Sequence, residues 1–221
     1  MNRFARRYLA RFLLPFAVTA MLIGPTVTNA TDATQRWDFA VKMDGDEIGY
    51  HRFELIEEGA QHRLISAARF DVRFLFINAL KYRHHATEVW SNGCLREIET
   101  RTQANSKKLA VSGETIDDRL IIDAGTEKAE FSDCVMTFAY WNPEFLRQSR
   151  LLNAQSGEYL AVEVEALGSE PISVRGANVE ASVYRLTAEK LELKLWYSPN
   201  KEWLALESVA KGGRIIRYEL T

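Results

Sequence analysis

The sequence predicts an all-β protein: an antiparallel meander of about ten or more strands that forms a curled sheet or an open barrel, with one short helix near residues 143–152. Three observations predict this fold. Apolar and polar residues alternate with a period of two along most of the chain, as in half-buried strands. Turn signals separate the alternating segments. The links between segments are short, which makes successive strands antiparallel neighbours.

The first part of the chain contains eight alternating segments. In the first segment, Trp37, Phe39 and Val41 share one face. The turn signal Asp44-Gly45-Asp46 leads into the second segment, in which His51 lies on the same side as Phe53. The eight predicted strands cover residues 37–43, 50–56, 62–70, 82–90, 94–102, 107–113, 119–123 and 128–131.

The helix and five further strands follow. Asn142-Pro143-Glu144 combines a capping asparagine, a proline at the first helical position and an early acid, which together predict a helix start. Apolar residues at helical spacing then continue the helix until Asn153. Because a sheet of this size must curl, one helix can plug or cover its concave face. The remaining predicted strands cover residues 159–167, 179–186, 191–197, 203–209 and 215–220.

The first thirty residues have the pattern of a cleaved secretory signal peptide. Four arginines and no acid precede an apolar run over residues 12–24 that is too short to span a bilayer comfortably. Thr28-Asn29-Ala30 then provides small residues at the positions that signal peptidase reads. We expect residues 1–30 to be removed on export and residues 31–221 to form a single β-rich domain in the periplasm.

The charge of the mature chain excludes some partners. Without the signal peptide, 24 basic residues remain against 30 acidic ones, a net charge of −6. An acidic chain without a clustered set of basic residues in its sequence lacks the positive charge that attracts nucleic acid, so we expect no nucleic-acid partner. No second apolar run of spanning length follows, so we expect no transmembrane segment in the mature chain.

Two cysteines remain in the expected mature chain. Cys94 and Cys134 are an isolated pair in an exported protein, which favours a disulfide. The alternative is two buried free thiols that do not touch. No neighbouring feature would lower the pKa of either thiol, which argues against a catalytic cysteine.

Four segments together carry a resemblance to a known family. They are Gly49-Tyr50-His51-Arg52-Phe53, Phe138-Ala139-Tyr140-Trp141-Asn142-Pro143, Leu151-Leu152-Asn153-Ala154-Gln155-Ser156-Gly157-Glu158-Tyr159 and Leu195-Trp196-Tyr197-Ser198. From residue 37 to the end, the chain resembles an uncharacterised family of exported proteobacterial proteins, a domain of unknown function. This resemblance implies no activity and no site residues. In architecture alone, the plan is also similar to periplasmic β-barrels and half-barrels that carry lipids.

The sequence lacks the common catalytic and metal-binding motifs. His84 and His85 are adjacent on a predicted strand, so they point to opposite faces and cannot hold one metal together without a bulge. There is no Gly-x-Ser-x-Gly elbow, phosphate loop or zinc spacing. We therefore predict no catalytic residue, no metal site and no cofactor. An enzyme would need residues assembled from distant strands, with His51, His84 or His85 as the acid–base group.

Two aromatic clusters are the candidate ligand site. Residues 70–77 are apolar on both faces, which is unusual for a strand with one solvated face, and residues 138–146 form a second dense cluster beside the predicted helix. If the helix covers a curled sheet, the two clusters can line or gate an apolar cavity. The predicted ligand-binding residues are Phe70, Phe74, Phe76, Tyr140, Trp141 and Phe145. The alternatives are that both clusters are plain core, or that Leu75, Phe76 and Ile77 touch a membrane.

The leading hypothesis is therefore an exported, non-catalytic protein that binds a hydrophobic or lipid-like molecule in the bacterial envelope. The first alternative is an interaction or assembly module that presents its sheet to another envelope protein. The second is an enzyme that acts on a lipid or small metabolite.

Overall fold

The computed structural model describes residues 33–74, 77–125, 128–210 and 212–221, with side chains described outside residues 73–79. Within these ranges the chain forms fifteen strands and one short 3₁₀ helix. The strands are β1 (Thr34–Met43), β2 (Asp46–Glu58), β3 (Gln61–Phe74), β4 (Ile77–Ser91), β5 (Cys94–Ala104), β6 (Lys107–Ile116), β7 (Arg119–Asp123), β8 (Lys128–Phe131), β9 (Arg150–Leu152), β10 (Tyr159–Ala161), β11 (Glu163–Val174), β12 (Ala177–Ala188), β13 (Leu191–Tyr197), β14 (Trp203–Val209) and β15 (Ile215–Leu220).

Thirteen strands form one antiparallel sheet. Its order is β11-β12-β13-β14-β15-β1-β2-β3-β4-β5-β6-β7-β8, and β9 pairs separately with β10. Each strand lies beside its neighbour in sequence except where β15 pairs with β1 and so joins the C-terminal strands to the N-terminal ones. The sheet does not close, because β11 and β8 remain at its edges. The predicted all-β antiparallel meander is confirmed.

The helix is shorter than the sequence predicts. It starts where expected, with Asn142 Oδ1 accepting a hydrogen bond from the backbone N–H of Glu144 at 3.1 Å, but it is a 3₁₀ helix over Pro143–Arg147. The residues expected to continue it enter β9, where Leu151 and Leu152 are fully buried. Pairing with β10 satisfies the backbone while both leucines enter the core, so tertiary packing overrides the local helical spacing.

The connection between β8 and β11 crosses the inside of the curled sheet. We call residues 132–161 the plug segment. Thr100 on β5 donates a hydrogen bond to the carbonyl of Ala154 (2.7 Å), and Tyr197 on β13 donates one to the carbonyl of Tyr140 (2.8 Å). Six strands lie between β5 and β13, a distance of about 34 Å in a flat sheet. One short segment reaches both strands because the sheet wraps around it.

The plug segment carries much of the apolar core. Val135, Met136 and Phe145 are buried in one cluster with residues from both halves of the sheet, among them Trp37 and Leu195. The disulfide between Cys94 and Cys134 ties the start of the segment to β5, and the Leu95 N–H donates to the carbonyl of Val135 beside it (2.9 Å). The predicted disulfide is thus present, and it fixes the point where the plug segment enters the sheet.

Candidate ligand-binding site

A cross-strand row on the concave face brings two histidines together. His51 on β2, Ala68 on β3 and His84 on β4 are consecutive partners in the sheet. Since the alanine between them is short, the two imidazole rings meet edge to face with their centroids 6.4 Å apart. The register of three neighbouring strands therefore builds this pair, although its members are more than thirty residues apart in sequence.

Each histidine is held by hydroxyl groups. His51 Nε2 lies 2.8 Å from Ser66 Oγ, and His51 Nδ1 lies 3.3 Å from the hydroxyl of Tyr218. His84 Nδ1 lies 2.8 Å from Thr102 Oγ1. Burial, followed by repulsion from His85, lowers the pKa of His84 to about 4. Burial, followed by repulsion from His84, also holds the pKa of His51 well below its usual value. Both rings are therefore neutral at neutral pH, with one donor and one acceptor nitrogen each.

Three tyrosines face this pair from different parts of the chain. Tyr82 on β4, Tyr140 in the plug segment and Tyr218 on β15 are all half-buried. Burial raises the pKa of each hydroxyl, and Tyr140 and Tyr82 raise the pKa of Tyr218 further. Within the described chain, the hydroxyls of Tyr82 and Tyr140 have no hydrogen-bond partner. Neither hydroxyl is fully buried, so both are accessible to a polar atom from outside the chain, which each can pair as donor or acceptor.

Aromatic rings form the walls around these polar groups. Phe70 stacks on Tyr82 with ring centroids 5.1 Å apart, and it contacts Tyr218 edge-on at 6.3 Å. On the other side, Trp203 packs 4.9 Å from Tyr140. We call this group the inner aromatic site; its members are His51, Phe70, Tyr82, His84, Tyr140 and Tyr218. It combines apolar rings with a few polar atoms at its centre, as small-molecule sites do.

Only some of the predicted ligand residues belong to the inner aromatic site. Phe70 and Tyr140 come from the two predicted clusters and meet in the inner aromatic site. Phe145 is fully buried and contacts Tyr140 edge-on at 5.7 Å, so it supports the site from behind. Trp141 points elsewhere, against Trp90 at 5.6 Å. The backbone of Phe74 ends β3, but its side chain, like all of Phe76, lies outside the described part of the chain.

The histidines and two of the tyrosines were absent from the predicted ligand set. The alternation carried a signal for them, because His51 shares a face with the core residue Phe53 on β2, and His84 shares one with Ala86 on β4. A polar residue at a position that alternation assigns to the core needs a partner. That criterion would have selected both histidines, and Tyr218 on β15 by the same reasoning.

A second buried polar group lies under the plug segment. Glu88 Oε2 accepts hydrogen bonds from Trp90 Nε1 (2.9 Å) and Thr137 Oγ1 (3.3 Å). Burial raises the pKa of Glu88 to about 7, although both hydrogen bonds favour the charged form. Nearby, His62 Nδ1 and Trp141 Nε1 are buried without a partner in the described chain. Through its hydrogen bond with Thr137, the Glu88 side chain links β4 to the plug segment.

Metal chemistry has no candidate site in the described ranges. No group of three or more His, Cys, Asp or Glu side chains there is arranged to hold a metal ion. Nor does any helix of the described chain have the length and apolar character needed to cross a bilayer.

The open, curled sheet with an internal plug defines a β-barrel-like protein. Residues 39–221 match the model of a domain of unknown function, DUF6134, and the chain belongs to that family. Its fold is similar to the crystal structure of a β-barrel-like protein of another domain of unknown function, DUF1849, from Brucella abortus. The TM-score is 0.61 at 7% identity, over 86% of this chain and 95% of the other. No protein of curated function matches the chain.

Proposed function

We propose that this protein is an exported, non-catalytic binding protein that holds a small hydrophobic or lipid-like molecule in the inner aromatic site, within the bacterial envelope. One observation carries the proposal: the half-buried Tyr82 and Tyr140 pack against other aromatic rings, and their hydroxyls have no hydrogen-bond partner in the described chain. Groups in that position bind a ligand atom at little cost because they are already partly desolvated.

The chemistry of the site specifies the ligand class. Phe70 and the tyrosine rings offer apolar contact, which suits an aliphatic or aromatic body. The neutral histidines and free hydroxyls offer both donors and acceptors but no fixed charge. A molecule with an apolar body and one hydroxyl or carbonyl head matches this arrangement.

Export is supported by two independent features. The N-terminal thirty residues have the charge and hydropathy pattern of a signal peptide. The disulfide between Cys94 and Cys134 is typical of proteins that fold in an oxidising compartment.

Native mass spectrometry tests the proposal. The mature protein is purified from its own envelope, its mass is measured under native conditions, and any adduct is identified after organic extraction. We expect one apolar adduct of defined mass. A clean apo mass would contradict the carrier function and favour the alternative of an envelope interaction module.

A matched pair of variants assigns the adduct to the site. Tyr82→Phe and Tyr140→Phe each remove one hydroxyl from the site, whereas Tyr50→Phe removes one from an exposed position on β2. A lost hydrogen bond of about 1 kcal/mol weakens binding about fivefold. We expect this loss for a dansyl-labelled fatty alcohol, whose uncharged hydroxyl head matches the site, in the two site variants only. Equal loss in Tyr50→Phe would refute the site assignment.

One distance favours a second candidate function, hydrolysis. His51 Nε2 lies 2.8 Å from Ser66 Oγ, within the range of a serine–histidine pair. The far nitrogen contacts the hydroxyl of Tyr218 rather than a carboxylate. Turnover of p-nitrophenyl esters that disappears in Ser66→Ala would support an enzyme, whereas no turnover in the wild type would exclude this activity.

A further inference from the structure

The convex face of the sheet carries a set of cations in cross-strand register. Arg69 on β3 lies directly opposite Arg83 on β4, and the same row continues through Gln103 on β5 to Lys108 on β6. In the adjacent row, His85 lies opposite Arg101. Like charges directly opposite each other destabilise a sheet, so this arrangement is not explained by fold stability.

These cations are only partly neutralised. Arg69 pairs with Asp71 at 3.0 Å, and Arg101 pairs with Glu99 at 2.6 Å. Neither Arg83 nor Lys108 forms an ion pair with any described residue, and both are exposed. Two permanent charges therefore have no carboxylate in direct contact, although Arg83, after Arg69, also lowers the pKa of Asp71.

The cations surround a cleft on this face. The cleft has a volume of about 730 Å³, and Tyr50 lies among its lining residues. Its lining contains three arginines, a lysine and two histidines, but no aspartate or glutamate. The expected mature chain has six more acidic than basic residues, so an acid-free lining is a strong local segregation of charge.

We propose that this cleft binds phosphate-bearing anions. Guanidinium groups match phosphate oxygens in pairs, and a lysine adds a point charge that tolerates several orientations. The volume lies within the range of small-molecule sites. The two sources of such a group are a soluble phosphorylated molecule and the headgroups of an anionic bilayer. Arg83 and Lys108 lie on the opposite face of the sheet from the inner aromatic site, and His84 is the one residue common to both sites. The proposal is tested at Arg83 and Lys108, so it stands or fails independently of the proposed function.

Charge reversal tests the proposal with two probes. The full mature protein is titrated with inorganic pyrophosphate by calorimetry. It is also sedimented with vesicles of phosphatidylglycerol and, separately, of phosphatidylcholine. The cleft variant is Arg83→Glu with Lys108→Glu. The control variant is Lys190→Glu with Lys201→Glu, which changes the net charge equally at exposed residues in turns far from the cleft in the chain.

We expect the wild type to bind at least one anionic probe at low ionic strength and to release it as salt is added, because exposed charges are screened. The cleft variant should bind at least tenfold more weakly, and the control variant should stay within twofold of the wild type. Pyrophosphate binding identifies a soluble ligand, whereas binding to phosphatidylglycerol vesicles alone identifies a bilayer. Binding of neither probe, or equal loss in the control variant, would overturn the proposal. A urea midpoint for each variant separates loss of binding from loss of fold.

Discussion

Replacing Glu88 with glutamine is expected to stabilise the protein above pH 7 and to leave its stability unchanged below pH 4.5. Glu88 is only 4% exposed, and burial is the main cause of its raised pKa of about 7. A folded-state pKa above the unfolded value means that the folded protein holds the proton more tightly. The stability that this group contributes is therefore complete below pH 4.5 and is lost as the pH rises to about 7.

The magnitude follows from the size of the shift. A rise from 4.5 to about 7 corresponds to about 3 kcal/mol, at 1.36 kcal/mol for each pKa unit. Glutamine stays neutral at every pH and keeps a carbonyl oxygen that can accept from Trp90 Nε1. Glu88→Gln should therefore gain up to about 3 kcal/mol in free energy of unfolding above pH 7. The lowered pKa values of His51 and His84 affect both proteins equally and cancel in the difference.

The assay is urea unfolding, followed by tryptophan fluorescence, of wild type and variant at several pH values. The matched control is Glu163→Gln, which neutralises an exposed glutamate at the start of β11. The difference between Glu88→Gln and wild type should rise with pH, while that of the control stays flat. A gain that is independent of pH, or a loss of stability above pH 7, would refute the assignment of Glu88 as a buried acid with a raised pKa.

Two further changes test the stability of the fold at the disulfide and at the close contact between β2 and β3. Replacing Cys94 and Cys134 with serine opens a link across 40 residues, and the chain-entropy model gives a loss of about 4 kcal/mol, measured as a lower urea midpoint. Reducing the disulfide of the wild type should lower the urea midpoint equally. If it does not, the loss in the variant does not come from the missing cross-link. Gly49→Ala should lower the thermal unfolding midpoint strongly, since a Cβ there would collide with the carbonyl oxygen of Arg69. Gly59→Ala is the control, because open space surrounds that position, and it should lower the midpoint less.

Most strands could be predicted because one face of the sheet is buried and the other solvated. All thirteen predicted segments overlap observed strands, and the turn at Asp44 lies between β1 and β2 as expected. The short strand β9 could not be predicted, because three residues are too few to display a period of two, and the single strand predicted over 159–167 is divided at Val162 into β10 and β11. Leu151 and Leu152 fit a helix and a strand equally well, and only packing inside the sheet decides between them.

The candidate site could be predicted only in part. Dense aromatic segments in the sequence predict Phe70 and Tyr140. Tyr218 lies 167 residues from His51, and the two meet only because β15 pairs with β1. That pairing is a property of how the meander curls, which local alternation does not encode. Trp141 belongs to the same dense segment as Tyr140, yet adjacent side chains on an irregular segment can point in unrelated directions.

The open sheet leaves two edges with unpaired backbone groups, and their sequences bear on self-association. β11 is twelve residues long, enough to recruit a strand from another molecule. It is interrupted by an irregularity between Ala166 and Gly168, by Pro171, which has no N–H to donate, and by the charged residues Glu163 and Glu165. β8 has only four residues, including a lysine and a glutamate. A barrel-like sheet can thus stay open at high concentration without polymerising edge to edge.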